Sequence, residues 1–132
     1  MTLPPIERNQ PVTPGEIAAL RAAVGWEPCE HTQARVLRGS YCYFTARDRQ
    51  RLAAFLNVIS DGVGDALLVN IIVHPQYQKQ GLGAKLISTA VTALTTDGIQ
   101  CIWTTFVPEK ESFYRDHGFH ILRGGVIDNA HR

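Results

Sequence analysis

The sequence has little of what marks most specialised proteins. Its three cysteines, Cys29, Cys42 and Cys101, are an odd number without CxxC spacing. That argues against a disulfide framework and against a zinc site, and no metal is expected; a reducing, cytoplasmic setting is. Net charge is nearly absent: 13 basic residues stand against 12 acidic ones, a formal +1. No whole-molecule field draws the chain to nucleic acid or to an anionic membrane, and neither is expected as a partner. Nowhere does an apolar run approach the ~18 residues of a membrane span. The start, "MTLPPIERNQ", carries charge and proline where a secretory leader needs an apolar stretch. Repeats and low-complexity segments are missing too. What remains is a 132-residue chain that is 45% hydrophobic, enough for one ordinary core, and a single domain over residues 1–132 is expected.

Helix and strand signals alternate along it. In "VTPGEIAALRAAV" Thr13 suits an N-cap, Pro14 the first helical position and Glu16 a capping box, ahead of Ile17, Leu20 and Val24 at helical spacing. A second helix is expected over about residues 29–38, on a weak apolar stripe. Residues 40–73 read as three strands separated by "RDRQ" and "DGVGD", the first two forming an antiparallel hairpin or meander. The third, Ala66 to Val73, is apolar at nearly every position, which predicts a strand in mid-sheet covered on both faces. Leu82, Leu86, Ile87, Ala90, Val91 and Leu94 then form one helical stripe ending near Asp97 and Gly98. "QCIWTTFVP" predicts a strand, "EKESFYRDHG" a short helix closed by Gly118, and "FHILRG" a last strand. This order predicts an α/β sandwich on a mixed sheet.

The segment "HPQYQKQGLGAKL", residues 74–86, joins the end of a central strand to the start of a helix. A helix N-terminus leaves four N–H groups unpaired at the positive end of its dipole, so the geometry suits an anion, above all a phosphate. Gly81 and Gly83 permit close backbone approach. The spelling fits neither GxxxxGK[ST] nor GxGxxG, since it has no third glycine and no Lys-Ser or Lys-Thr step. Two nearby glycines also occur in ordinary strand-to-helix turns. Lys79 and Lys85 read equally as solvated charges and as phosphate contacts.

The pattern Q/R-x-x-G-x-G/A does fit, as Gln78-Lys79-Gln80-Gly81-Leu82-Gly83 preceded by "VHPQY". With the aromatic-rich "FYRDHGF" from Phe113 to Phe119 some thirty residues on, the chain resembles the GNAT superfamily of acetyl-CoA-dependent N-acetyltransferases. The resemblance covers roughly residues 40–123. It implies a GNAT-like α/β/α sandwich around a mixed, mostly antiparallel sheet, with an acetyl-CoA-binding core at about 66–123 and residues 1–40 contributing helices to the acceptor site. It further implies that Gln78, Lys79, Gln80, Gly81, Leu82, Gly83, Ala84 and Lys85 hold the coenzyme pyrophosphate. Exposed backbone at Ile71, Ile72 and Val73 would pair with the pantetheine arm. Transfer from a thioester to an amine needs a neutral amine, donors for the oxyanion and a proton for the leaving thiolate. The resemblance gives the carbonyl to the Val73 amide and the proton to Tyr114; the competing reading packs Tyr114 between Phe113 and Phe119.

Two departures from the family pattern stand out. "ALLVNIIV" has Asn70 and no acid where relatives often place a carboxylate base, leaving Asp61, Asp65 and His74 as candidates beside a water-mediated base or an amine that arrives neutral. "FVPEKES" replaces an asparagine that many relatives direct at the coenzyme. Trp26, Tyr41 and Tyr43 are candidates to line the acceptor pocket, though each also reads as an aromatic that caps the core. A small-molecule primary amine is the expected acceptor; a protein lysine or N-terminus, and a non-catalytic acyl-CoA-binding module, are the alternatives. Little sequence follows "FHILRG" to finish the sheet, which makes a homodimer covering that edge an expectation.

Overall fold

Thr13 begins the first helix as its sequence predicts. In the computed structural model, which describes residues 2–130, its hydroxyl accepts from the Glu16 N–H at 3.1 Å. The Glu16 carboxylate accepts in return from the Thr13 N–H at 2.9 Å, completing the capping box. This helix, α1, runs Pro14–Ala23, and α2 follows at Glu30–Gly39. The sheet is formed by β1 (Ile6–Arg8), β2 (Cys42–Asp48), β3 (Arg51–Ser60), β4 (Asp65–Val73) and β5 (Cys101–Thr104), in the spatial order β1-β2-β3-β4-β5. All neighbours are antiparallel except β4 and β5. The long helix α3 (Leu82–Thr96) provides the crossover between those two, and α4 (Glu111–Asp116) follows β5. The result is a single-domain α/β fold on a mixed sheet.

Alternation along the strands separates two apolar layers. Phe44, Leu56, Val58 and Leu68 pack on one face against Leu82, Leu86, Ile87, Ala90 and Leu94 of α3. Phe55 and Ile72 face the other way, against Ile17 and Leu20 of α1. Leu68 and Ile72 are four residues apart and should share a face in a regular strand, yet they point to opposite layers. The cause is a β-bulge: Asn57 pairs with Val69 and Phe55 with Ile72, so Asn70 and Ile71 together oppose a single residue of β3. Asn70 has φ +53°, a left-handed conformation that asparagine tolerates better than the β-branched residues around it. The bulge resets the period, which turns Ile71 and Val73 toward the α3 layer.

Two expectations are corrected and one element is added. The strand buried on both faces is β3, continuous from Leu52 to Val58, and not β4, which is only half covered beyond Leu68. β1 adds an edge strand the apolar pattern does not announce. "FHILRG" forms no strand: residues 119–124 join no ladder among the described residues, and Leu122 is exposed.

Candidate active site

The parallel ladder between β4 and β5 is short. It runs from Asp65 opposite Cys101 to Leu68 opposite Thr104 and stops, so the strands part just before the bulge. From Asn70 to Val73, β4 keeps β3 on one side and has no strand on the other. The His74 N–H donates to the Ala53 carbonyl of β3 at 2.8 Å. Successive N–H groups of an extended strand alternate in direction, so the Val73 and Ile71 groups face the open cleft while those of Ile72 are turned to β3. Ile72, expected among the cofactor contacts, instead buries its side chain under α1.

Past Val73 the chain makes a turn of 3-10 helix at Pro75–Tyr77, with the His74 ring accepting from the Gln76 N–H. Lys79 (φ +62°) and Gly81 (φ +89°) then take left-handed conformations before α3 starts at Leu82. The N–H groups of Lys79 to Ala84 donate to no protein acceptor among the described residues, and Gly81 supplies no side-chain cap. Six consecutive amides without a well-formed protein acceptor at a helix N-terminus suit an anion, and together they form a candidate cradle for one. Any side chain at Gly81 would be strained by its φ, whereas a Cβ at Gly83 would make ordinary contact with Val73 Cγ2 at 3.6 Å.

The loop side chains mostly brace this cradle. Gln78 Nε2 donates to the Val73 carbonyl at 2.8 Å, tying the loop to the cleft edge of β4, and Gln80 Nε2 donates to the Gln76 carbonyl at 3.1 Å. Lys85, grouped with the loop by sequence, is engaged elsewhere: its ammonium donates to the Pro4 carbonyl at 3.1 Å and its N–H to the Gly81 carbonyl at 3.1 Å.

Tyr114 stands where the strands part. It is 7% exposed, stacked on Phe106 with ring centroids 4.7 Å apart and edge-on to Phe113 and Phe119. Thr104, the last laddered residue of β5, lies beside it and donates its own hydroxyl to the Leu68 carbonyl at 3.3 Å. Burial raises the Tyr114 phenol above its ordinary range, with the Thr104 contact pulling it partly back. The phenol therefore keeps its proton throughout the neutral range. Sequence reasoning did not find Thr104 or Phe106, whose roles depend on where the two strands separate.

The candidate bases are scattered. Asp61 accepts from the N–H groups of Val63, Gly64 and Asp65, and Asp65 accepts from the Trp103 indole at 2.7 Å. Both sit at or beyond the far end of β4, and Asp65 is about 23 Å from Val73, seven ladder steps at roughly 3.3 Å each. His74 is at the correct end, but burial, and after it the Arg51 guanidinium, push its imidazole below the usual range. Two donors press on its ring, Arg51 Nη2 at Nε2 (2.8 Å) and the Gln76 N–H at Nδ1 (3.1 Å), and a neutral imidazole accepts at one nitrogen only.

The aromatic trio is also divided. Tyr41 lies at the far end, its hydroxyl donating to Asp97 at 2.8 Å. The Tyr43 hydroxyl donates to the Gln10 carbonyl at 2.9 Å. Trp26, 42% exposed, covers the guanidinium of Arg21 at 5.4 Å. Arg21 in turn donates from Nη1 to Asn70 Oδ1 at 3.2 Å, and Asn70 Nδ2 donates to Asn57 Oδ1 at 2.8 Å. Asn57 Nδ2 donates onward to Ser40 Oγ at 3.0 Å, so the bulge is fastened by part-buried polar contacts to α1 and to the residue that follows α2. The signal for this in the sequence is Asn70 itself, the one amide in an otherwise aliphatic strand.

An acetyltransferase (GNAT) domain model matches residues 39–121, more than half of the chain and the whole stretch that carries the splayed strands, the cradle and Tyr114. The chain belongs to the GNAT acetyltransferase family. Relatives of this GNAT chain include the N-acetyltransferase ycf52 of Gracilaria tenuistipitata, named as uncharacterized, which is 27% identical over 84 residues, 64% of this chain and 46% of that protein. The [ribosomal protein bS18]-alanine N-acetyltransferase of Salmonella typhimurium is 37% identical over 59 residues, 45% of this chain and 38% of that one. The chain thus spans less than half the length of these two relatives. In three dimensions it is similar to the GNAT family acetyltransferase SP0256 of Streptococcus pneumoniae, with a TM-score of 0.76 at 24% identity over 96% of this chain and 98% of that one. Among the described residues no three His, Cys, Asp or Glu side chains gather to hold a metal, and no helix is long and apolar enough to cross a membrane.

Proposed function

We propose that this GNAT chain transfers an acetyl group from acetyl-CoA to the primary amine of a small molecule, by direct attack of the amine on the thioester. The observation that carries the reading is the run of free N–H groups from Lys79 to Ala84 beside a strand edge left open by the bulge. The cradle matches a pyrophosphate in charge and in donor count, and the open edge of Ile71 and Val73 matches an amide-bearing arm. Acetyl-CoA, when bound, supplies an activated acyl carbon and a thiol leaving group. The chain's own part is to hold and polarise. The Val73 N–H, facing the cleft, donates to the acyl oxygen as charge develops there. Tyr114, kept protonated by burial, donates to the departing sulfur. A thiol near pKa ~8.5 leaves more readily than a phenol near ~10 ionises, so the tyrosine assists as a hydrogen-bond donor more than as a strong acid. No carboxylate among the candidates reaches the cleft, which favours an amine that arrives neutral or loses its proton to water.

A second reading, acetylation of a protein N-terminus, is favoured by one observation: the Salmonella relative is named for a ribosomal-protein alanine. Calorimetric titration of acetyl-CoA, followed by thiol release over a panel of small amines and an alanine-initiated peptide, tests both. Saturable binding and release with small amines is the expected result. Release with the peptide alone would favour the second reading, and binding without release would leave an acyl-CoA-binding module.

A further inference from the structure

A buried arginine without a counter-ion raises its own question. Arg21 is 4% exposed, yet it takes part in none of the three ion pairs among the described residues. Its guanidinium is half satisfied by neutral acceptors: Nε donates to the Glu27 carbonyl at 2.7 Å and Nη1 to Asn70 Oδ1 at 3.2 Å. Nη2 donates to no protein acceptor. No buried side-chain nitrogen or oxygen among the described residues lacks a partner, so Nη2 is not sealed in and opens to the exterior. Burying a lone charge is unfavourable unless something compensates it, and a planar guanidinium with one free edge is shaped for a carboxylate. The contact to Asn70 places this edge at the bulge, one residue from Ile71 and three from Val73. Trp26 lies over the guanidinium face and leaves its edge as the side open to a ligand.

We infer that Arg21 binds the carboxylate of the acceptor, so that the chain's substrates are primary amines that also carry a carboxylate. This rests on the acetyl-transfer reading and adds the substrate class to it. With Asn70 and Ile71 counted as one ladder step, Asn70 and Val73 are separated by roughly 7 Å of strand, at about 3.3 Å per step. An amine held several bonds from its carboxylate spans that gap better than an α-amino acid does.

The test is binding of γ-aminobutyrate and δ-aminovalerate to the CoA-saturated protein by calorimetry, each against its own carboxamide, with kcat/KM measured for the same pairs. The carboxylates should bind about 10- to 100-fold more tightly, as one charge-assisted pair provides. Arg21→Gln should remove the preference for acid over carboxamide, and Arg21→Lys should restore part of it. Because Arg21 also braces the bulge, the wild-type comparison stands without any variant: equal affinity for acid and carboxamide overturns the inference, as does a preference that survives in folded Arg21→Gln. Failure of the parent reading is seen separately. It would appear as no acetyl-CoA binding and no thiol release, whereas failure of this inference appears as acetylation blind to the carboxylate.

Discussion

The two halves of β4 are built from the same aliphatic residue types and end in opposite states. From Ala66 to Leu68 the strand is paired on both sides and its side chains alternate regularly. From Asn70 to Val73 it is bulged and paired on one side only. Unpaired backbone inside a fold is costly, and buried N–H and C=O groups nearly always find partners. Here the open edge is held in place by side chains: Asn70 and Arg21 pin the bulge, Gln78 ties the loop, and Tyr114 with Phe106 fills the gap between the strands. The candidate site is an interruption of the sheet, made by one polar residue, Asn70, and held by four others.

The sharpest way to test that contrast is at the open half. Tyr114→Phe removes one oxygen and keeps the stacked ring; kcat should fall by about 10²- to 10⁴-fold with a matched amine, while KM for acetyl-CoA moves little and stability changes by no more than about 1 to 2 kcal/mol. An unchanged kcat, measured where the chemical step limits the rate, would leave Tyr114 as packing alone. Gly81→Val places a β-branched residue at φ +89° and should deform the cradle. Acetyl-CoA affinity is expected to drop by at least ~10-fold while the far half of the sheet stays folded, as hydrogen exchange at Leu67 and Leu68 would report.

The bulge itself comes next. Asn70→Ala leaves Arg21 Nη1 and Asn57 Oδ1 without their partner and should cost about 2 to 3 kcal/mol by denaturant unfolding. A loss under ~0.5 kcal/mol would mean the polar contacts do not hold the bulge.

The paired regions predict smaller effects. The Arg47 guanidinium, at 2.6 Å, and the Thr13 N–H lower the Glu16 carboxyl from 4.5 to about 2. A carboxyl depressed in the folded state adds stability above its unfolded value, and that contribution fades as pH falls through its folded value. Glu16→Gln should therefore cost about 1 kcal/mol near neutrality, and the gap to wild type should narrow between pH 4.5 and about 2. At the far end Tyr41→Phe loses only an exposed hydrogen bond to Asp97. It should alter kcat and acetyl-CoA KM by less than about twofold, within the range of surface substitutions.

These contrasts also show what could be read in advance. The capping box at Thr13, the apolar stripe of α3 and the order of the inner strands follow from local chemistry, and so does the glycine-bearing loop that leads into α3. The bulge does not. An asparagine in an aliphatic run is visible, but which face it turns to depends on Arg21, forty-nine positions away. The choice of the strand buried on both faces failed for a similar reason. β3 and β4 are both apolar, and only the early parting of β5 decides which of them loses cover. "FHILRG" carries strand residues without a neighbouring strand to pair with, and residue preference alone does not make a ladder.

Acetyl-CoA is expected on the backbone groups of Ile71, Val73 and Lys79 to Ala84. Amide chemical-shift mapping during an acetyl-CoA titration tests it most directly. The largest shifts should fall at Ile71, Val73 and residues 79–84, with Ala66 to Leu68 and Cys101 to Trp103 nearly unmoved. Shifts concentrated in the paired half of β4, or no saturable shift in the loop, would contradict it.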